Sequence, residues 1–157
     1  MVSQATENSG SVSAQNQRQG SVLMTTHRAA CNCGELGIVC EGEPVRIPIC
    51  HCLECQRRTG AVFSSHAWFS RHQVTSISGN PTQFTRRSDA GRSVTFRFCP
   101  RCGSTVYWEA EYFPGHIAVA VGSFADPSFP APTHSLWEAR RHHWVEPLCA
   151  MAIQHSN

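Results

Sequence analysis

CHCLECQRRTG, residues 50–60, gathers Cys50, Cys52 and Cys55 into one short segment, and the reading of these thiols decides the fold. Two further clusters accompany it: Cys31 and Cys33 as CxC, and Cys99 and Cys102 within CPRCG, with Cys40 and Cys149 standing alone. A disulfide framework fits poorly. Nine cysteines is an odd number, residues 1–20 carry no apolar block of the kind that precedes a secretory cleavage site, and a reducing compartment keeps thiols free. Metal is the better account. Zinc takes deprotonated sulfur ligands at about 2.3 Å in a tetrahedron, so the chain must let sulfurs converge without strain.

Each cluster meets that requirement locally. Residues two apart in an extended segment share a face, which aims Cys31 and Cys33 the same way, while Pro100 and Gly103 favour the tight turn that joins Cys99 to Cys102. Two pairs complete a tetrahedron, which is a structural site. Binding energy of roughly 10 to 16 kcal/mol, as in small zinc peptides, would then go into folding. Cys50, Cys52 and Cys55 form only a trio, which leaves a coordination position for water or substrate and points to catalysis. A distant fourth ligand, from Cys40, Cys149 or a histidine, is the competing reading of the trio. Cys40 itself alternates with Leu36 and Ile38, which favours a buried apolar thiol.

The rest of the composition narrows the function. The 157 residues suffice for one domain with a real core. All 13 basic residues are arginine, so Schiff-base lysines and the phosphate-loop lysine are excluded. A formal charge of +2 gives no field to collect nucleic acid or a membrane surface, so the expected partner is a small molecule. The best apolar run, Ile117 to Val121, is far shorter than the roughly 20 residues of a membrane helix. The chain reads as cytoplasmic. Nothing in it sets the oligomeric state.

Residues 1–26 are rich in Ser and Gln and read as a disordered polar tail; 27–149 form the domain and 150–157 a second tail. Frequent Gly and Pro divide the domain into pieces too short for long helices. Gly37–Cys40, Ala61–Phe69, Gln83–Arg86, Ser93–Phe98, Ser104–Trp108 and His116–Val121 carry β-branched and aromatic residues suited to strands. The fold class expected is β-rich, mostly antiparallel, stapled by zinc, with at most a short helix after Cys52.

CNCG, CHCLECQRRTG, RFCPRCGS, DPSFPAP, His134 and Trp144 together resemble the glutathione-dependent formaldehyde-activating enzyme family, from Cys31 to about Val145. The resemblance implies a zinc-stapled β fold with two ions. Cys31, Cys33, Cys99 and Cys102 match the structural site, and Cys50, Cys52 and Cys55 match the catalytic one. It also implies a carbon-sulfur lyase that joins glutathione to formaldehyde as S-hydroxymethylglutathione, with a thiol and an aldehyde as partners. Two other functions stay open: a zinc enzyme for a different thiol or aldehyde, and a non-catalytic zinc-stabilised binding module.

Chemistry at the trio is expected to rest on ionisation. A free thiol of pKa near 8.5 is only about 3% thiolate at pH 7, so full ionisation at zinc raises the thiolate roughly 30-fold. Positioning must supply the remainder. Arg57 and Arg58 follow the trio directly and are the candidates to fork onto substrate carboxylates, against the alternative of a solvated charged face. His51 lies between two ligands, but in an extended segment its side chain points away from them, so a structural role is favoured.

Overall fold

The structure, a computed structural model, describes residues 24–88, 90–145 and 154–156. Most of the expected N-terminal tail, Cys149 and much of 150–157 lie outside the described residues. Thr26, assigned to that tail, instead opens the first strand.

Two sheets form the domain. The smaller joins β1 (Thr26–Ala30), β2 (Gly37–Glu41) and β5 (Val74–Ser78) in the order β1-β2-β5, all antiparallel. The larger contains β3 (Pro48–Cys50), β4 (Ser64–Ser70), β6 (Thr82–Arg87), β7 (Ser93–Phe98), β8 (Thr105–Ala110), β9 (His116–Ala120), β10 (His134–Leu136) and β11 (Gln154–His155). Its order is β11-β10-β3-β4-β9-β8-β7-β6. It is antiparallel except at β10, which runs parallel to both β3 and β11. Among the described residues a single short α-helix, α1 (Leu53–Thr59), follows Cys52 and ends on Gly60, whose φ of 65° provides the left-handed cap.

Period-two alternation explains how the larger sheet serves two purposes. Ala67 and Phe69 of β4, Val106 of β8, and Ile117 and Val119 of β9 face the smaller sheet. There they meet Leu36, Ile38 and Cys40 in the main core. Cys40 is fully buried, as its alternation with Leu36 and Ile38 requires.

The opposite face of the large sheet carries a second cluster of Trp68, Val94, Phe96, Trp108, Ala110 and Ala118. Cross-strand register lines several of these up. Phe84 opposes Phe96, Phe96 opposes Trp108, Trp108 opposes Ala118, Ala118 opposes Trp68, and Trp68 bridges to Arg46. Small Ala118 between two tryptophans lets both rings lie over one sheet face. This aromatic row becomes one wall of the site.

Candidate metal centres and their cavity

Cys31 follows β1, Cys33 sits in the turn to β2, Cys99 follows β7 and Cys102 lies in the turn that leads to β8. Their sulfurs lie within 4.8 Å of one another. Cys31 to Cys33 is 3.5 Å and Cys33 to Cys99 is 3.6 Å. A zinc tetrahedron with sulfurs at about 2.3 Å has edges near 3.8 Å, whereas a disulfide needs about 2.05 Å. The quartet therefore has metal geometry.

Local structure preorganises it. The Leu36 amide donates to Cys31 Sγ at 3.2 Å, and the Gly103 amide donates to the Cys99 carbonyl at 2.9 Å. Gly103 adopts φ 74°, a conformation glycine takes without the steric cost of a Cβ. An Arg101–Glu35 ion pair ties the two cysteine turns together.

The second group is Cys50, at the end of β3, with Cys52 and Cys55 at the start of α1. These sulfurs also lie within 4.8 Å of one another, and the Cys55 amide caps the arrangement by donating to Cys52 Sγ at 3.4 Å. Among the described residues no histidine, cysteine, aspartate or glutamate joins them as a fourth donor. Hydrogen bonds from Cys50 and then Cys55 pull the Cys52 thiol down to about 2, and the Cys50 thiol, bonded to Cys52, is pushed up. Protons thus share the trio unequally, because three bare thiolates repel one another. A divalent cation is the group that lets all three ionise together, so the donor set suits zinc.

The trio opens into a cavity of about 540 Å³. Aromatic side chains Trp68, Phe96, Trp108, Tyr112 and Trp137 line it, together with Arg46, Arg58, Arg86, Arg92 and Arg140. Glu54 is the carboxylate among the described lining residues. Arg58 is half-buried over the Trp108 ring, 4.4 Å from its centroid, and donates to Ser64 Oγ at 2.5 Å. Burial lowers its pKa, and interaction with Cys55, Cys50 and Cys52 opposes that shift. His66 is buried in the same wall, 4.9 Å from the Trp108 ring, with Nδ1 unpaired. Burial first, and Arg58 and Arg46 after it, hold its pKa down to about 3, so it is neutral near pH 7.

The two arginines expected to bind substrate separate here. Arg58 lines the cavity, but Arg57 does not: it is exposed and paired with Glu54 at 2.5 Å. Consecutive positions on a helix point about 100° apart, which sends only one of them inward. His51 turns away from the cavity, packed edge-on against Phe63 with its ring 6.0 Å away. Arg46, Arg86, Trp68, Trp108 and Tyr112 had no site signal in the sequence, because strand pairing brings the first four together and the turn after β8 adds Tyr112.

Comparison with known proteins agrees with this architecture. Residues 26–140 match the family described as glutathione-dependent formaldehyde-activating enzyme. The chain belongs to that family. Among solved structures it resembles a Rhodobacter sphaeroides protein from a structural genomics programme, at 17% identity and a TM-score of 0.50. The match covers 82% of this chain and 99% of that one. That likeness concerns the fold alone. No curated protein matches.

Proposed function

We propose that the protein is a zinc-dependent carbon-sulfur lyase that adds a thiol to a small aldehyde, with glutathione and formaldehyde as the pair its family suggests. The observation that carries this reading is the convergence of Cys50, Cys52 and Cys55 at a cavity ringed by arginines. Zinc held by these three sulfurs supplies an electrophilic centre that favours the thiolate form of an incoming thiol.

The remaining work falls to the chain. In the addition, sulfur forms a bond to the carbonyl carbon, the carbon-oxygen π pair moves to oxygen, and the thiol proton ends on that oxygen. Every atom is retained in the hydroxymethyl thioether. Trp68, Trp108 and Phe96 exclude water from one side and limit where the aldehyde can sit. Arg58 lies where its charge meets the sulfurs. Tyr112, 41% exposed at the cavity, has its phenol pushed up to about 12 by desolvation on its cavity side, so it stays protonated near pH 7 and can donate a hydrogen bond to developing charge on oxygen.

The test combines zinc stoichiometry with turnover of free thiols and formaldehyde, followed by carbon NMR of the hydroxymethyl product. Two ions per chain and turnover faster than the spontaneous addition are expected. Two ions without any turnover across a thiol and aldehyde panel would move the reading to a zinc-stabilised binding module.

A further inference from the structure

We infer that His66 donates its Nε2–H to the aldehyde oxygen while sulfur adds to the carbon. This rests on the reading of the trio as a thiol site, and it gives a role to the buried histidine of the cavity wall.

Strand register places the imidazole near the sulfurs. Cys50 of β3 pairs directly with Ser64 of β4, so their side chains share a sheet face, and His66 and Trp68 follow on that face at intervals of two. His66 therefore stands one pleat, about 7 Å along the strand, from the residue opposite Cys50. Ser64 in turn accepts a hydrogen bond from Arg58, the cation that interacts with the trio.

Ring contacts restrict how the imidazole is turned. The Trp108 centroid is 4.9 Å away and that of Trp68 5.7 Å, so aromatic rings flank it on two sides. Nδ1 is sealed and unpaired, which makes Nε2 the polar edge that His66 presents to the cavity. A neutral imidazole carries one proton on its two nitrogens. A sealed N–H without an acceptor is rarer in proteins than a sealed lone pair, so the proton belongs on Nε2, where a ligand oxygen can accept from it. His27 and His51 also bury an unpaired ring nitrogen, but neither lines this cavity.

The charges around the ring suit this role. Arg58 of α1 and Arg46, which bridges to Trp68, are the cations that act on His66, and Cys52 is the opposing group. Arg86, Arg92 and Arg140 line the same cavity, with the carboxylate of Glu54. Burial and then the two nearer cations keep the ring neutral, and the same cations stabilise negative charge that gathers on an oxygen held there. The ring keeps its proton throughout, so the thiol proton reaches the oxygen without passing through the imidazole.

Nitrogen-15 NMR of the zinc-loaded protein tests the inference, with the His66 signal assigned by its loss in His66→Gln. An Nε2–H that persists from about pH 5 to about pH 9 is expected. Glutathione equilibrated with formaldehyde holds the hydroxymethyl adduct without any enzyme and should shift that signal, whereas S-methylglutathione, which lacks the oxygen, should not. In kinetics, His66→Phe is expected to lower kcat about 100-fold with the KM for the thiol unchanged, and His66→Gln, which restores a donor at similar reach, to recover most of the loss. An Nδ1–H or imidazolium form, no shift with the adduct, the same shift with both compounds, or equal loss in the two variants would overturn the inference. A shift confined to the adduct without turnover by the unmodified chain would sink the lyase reading alone, and turnover with a signal indifferent to the adduct would sink this inference alone.

Discussion

The Arg58 guanidinium lies 4.4 Å from the centroid of the Trp108 ring, which places a residue of α1 against a residue of β8 at the mouth of the trio. The stack fixes both the cation beside the sulfurs and the aromatic wall facing them. Its neighbour Arg57 contributes only an exposed pair with Glu54.

Substitution should therefore separate the two arginines. Arg58→Ala is expected to lower stability by about 1 to 2 kcal/mol through the lost stack and the unpaired Ser64 hydroxyl, and to reduce kcat/KM at least tenfold. Arg57→Ala should change both by little, because exposed pairs contribute at most about 1 kcal/mol. Denaturant titration and steady-state kinetics check this, and equal effects of the two changes would contradict the geometry.

Removing one sulfur distinguishes the two metal centres. Cys52→Ser should leave the fold intact, reduce bound zinc from two ions to one and abolish turnover. Cys99→Ser opens the quartet instead, and should remove most of the cooperative unfolding transition, since structural zinc in small peptides binds with roughly 10 to 16 kcal/mol. Metal analysis with circular dichroism reads both outcomes, and a fully folded Cys99→Ser chain without its zinc would deny the quartet its structural role.

Chelation should follow the same division. Brief exposure to a strong chelator is expected to strip the trio first, because three sulfurs hold its ion against four in the quartet, even though Cys33 of the quartet is exposed. Activity should fall before the circular dichroism signal does. Simultaneous loss would show that the trio also supports the fold.

Acid should weaken the protein partly through His66. Its folded pKa near 3 lies below the unfolded value near 6.5, so the unfolded chain binds a proton that the folded chain refuses. No penalty exists above pH 6.5, and stability then declines towards pH 3 with a slope approaching about 1.4 kcal/mol per pH unit. His66→Gln should flatten that portion of the pH profile in denaturant titrations. An unchanged slope would mean that His66 is protonated in the folded state or that other groups dominate.

Filling defects should register in the main core. Phe69 is fully buried between the two sheets, so Phe69→Ala is expected to cost about 3 to 5 kcal/mol without direct contact with the cavity. A thermal shift below a few degrees would indicate that the sheets pack less tightly than this burial implies.

Much of the fold was legible from short-range chemistry. Ser93–Phe98 reads as a strand because Val94, Phe96 and Phe98 alternate with polar residues, and β7 occupies those residues. β1, β3, β5, β10 and β11 were not legible, and β11 falls within residues 150–157, read from the sequence as a tail. β5 is nearly all exposed, while β3 and β10 span Pro48–Cys50 and His134–Leu136, too short to display a period. Their strand state comes from partners distant in the chain.

The sequence by itself determined which sulfurs converge within each short segment, because the reach of a CxC, a CxxC and a proline-glycine turn is set within a few residues; that Cys31 and Cys33 meet Cys99 and Cys102 was decided by the packing of β1 and β2 against β7 and β8. Only the tertiary structure decided that Arg46, Arg86, Trp68 and Trp108 share one cavity and that Arg57 leaves it. Cross-strand register and the rotation of one helix make those choices, and both depend on which sheet face is buried, a property of the whole packed chain.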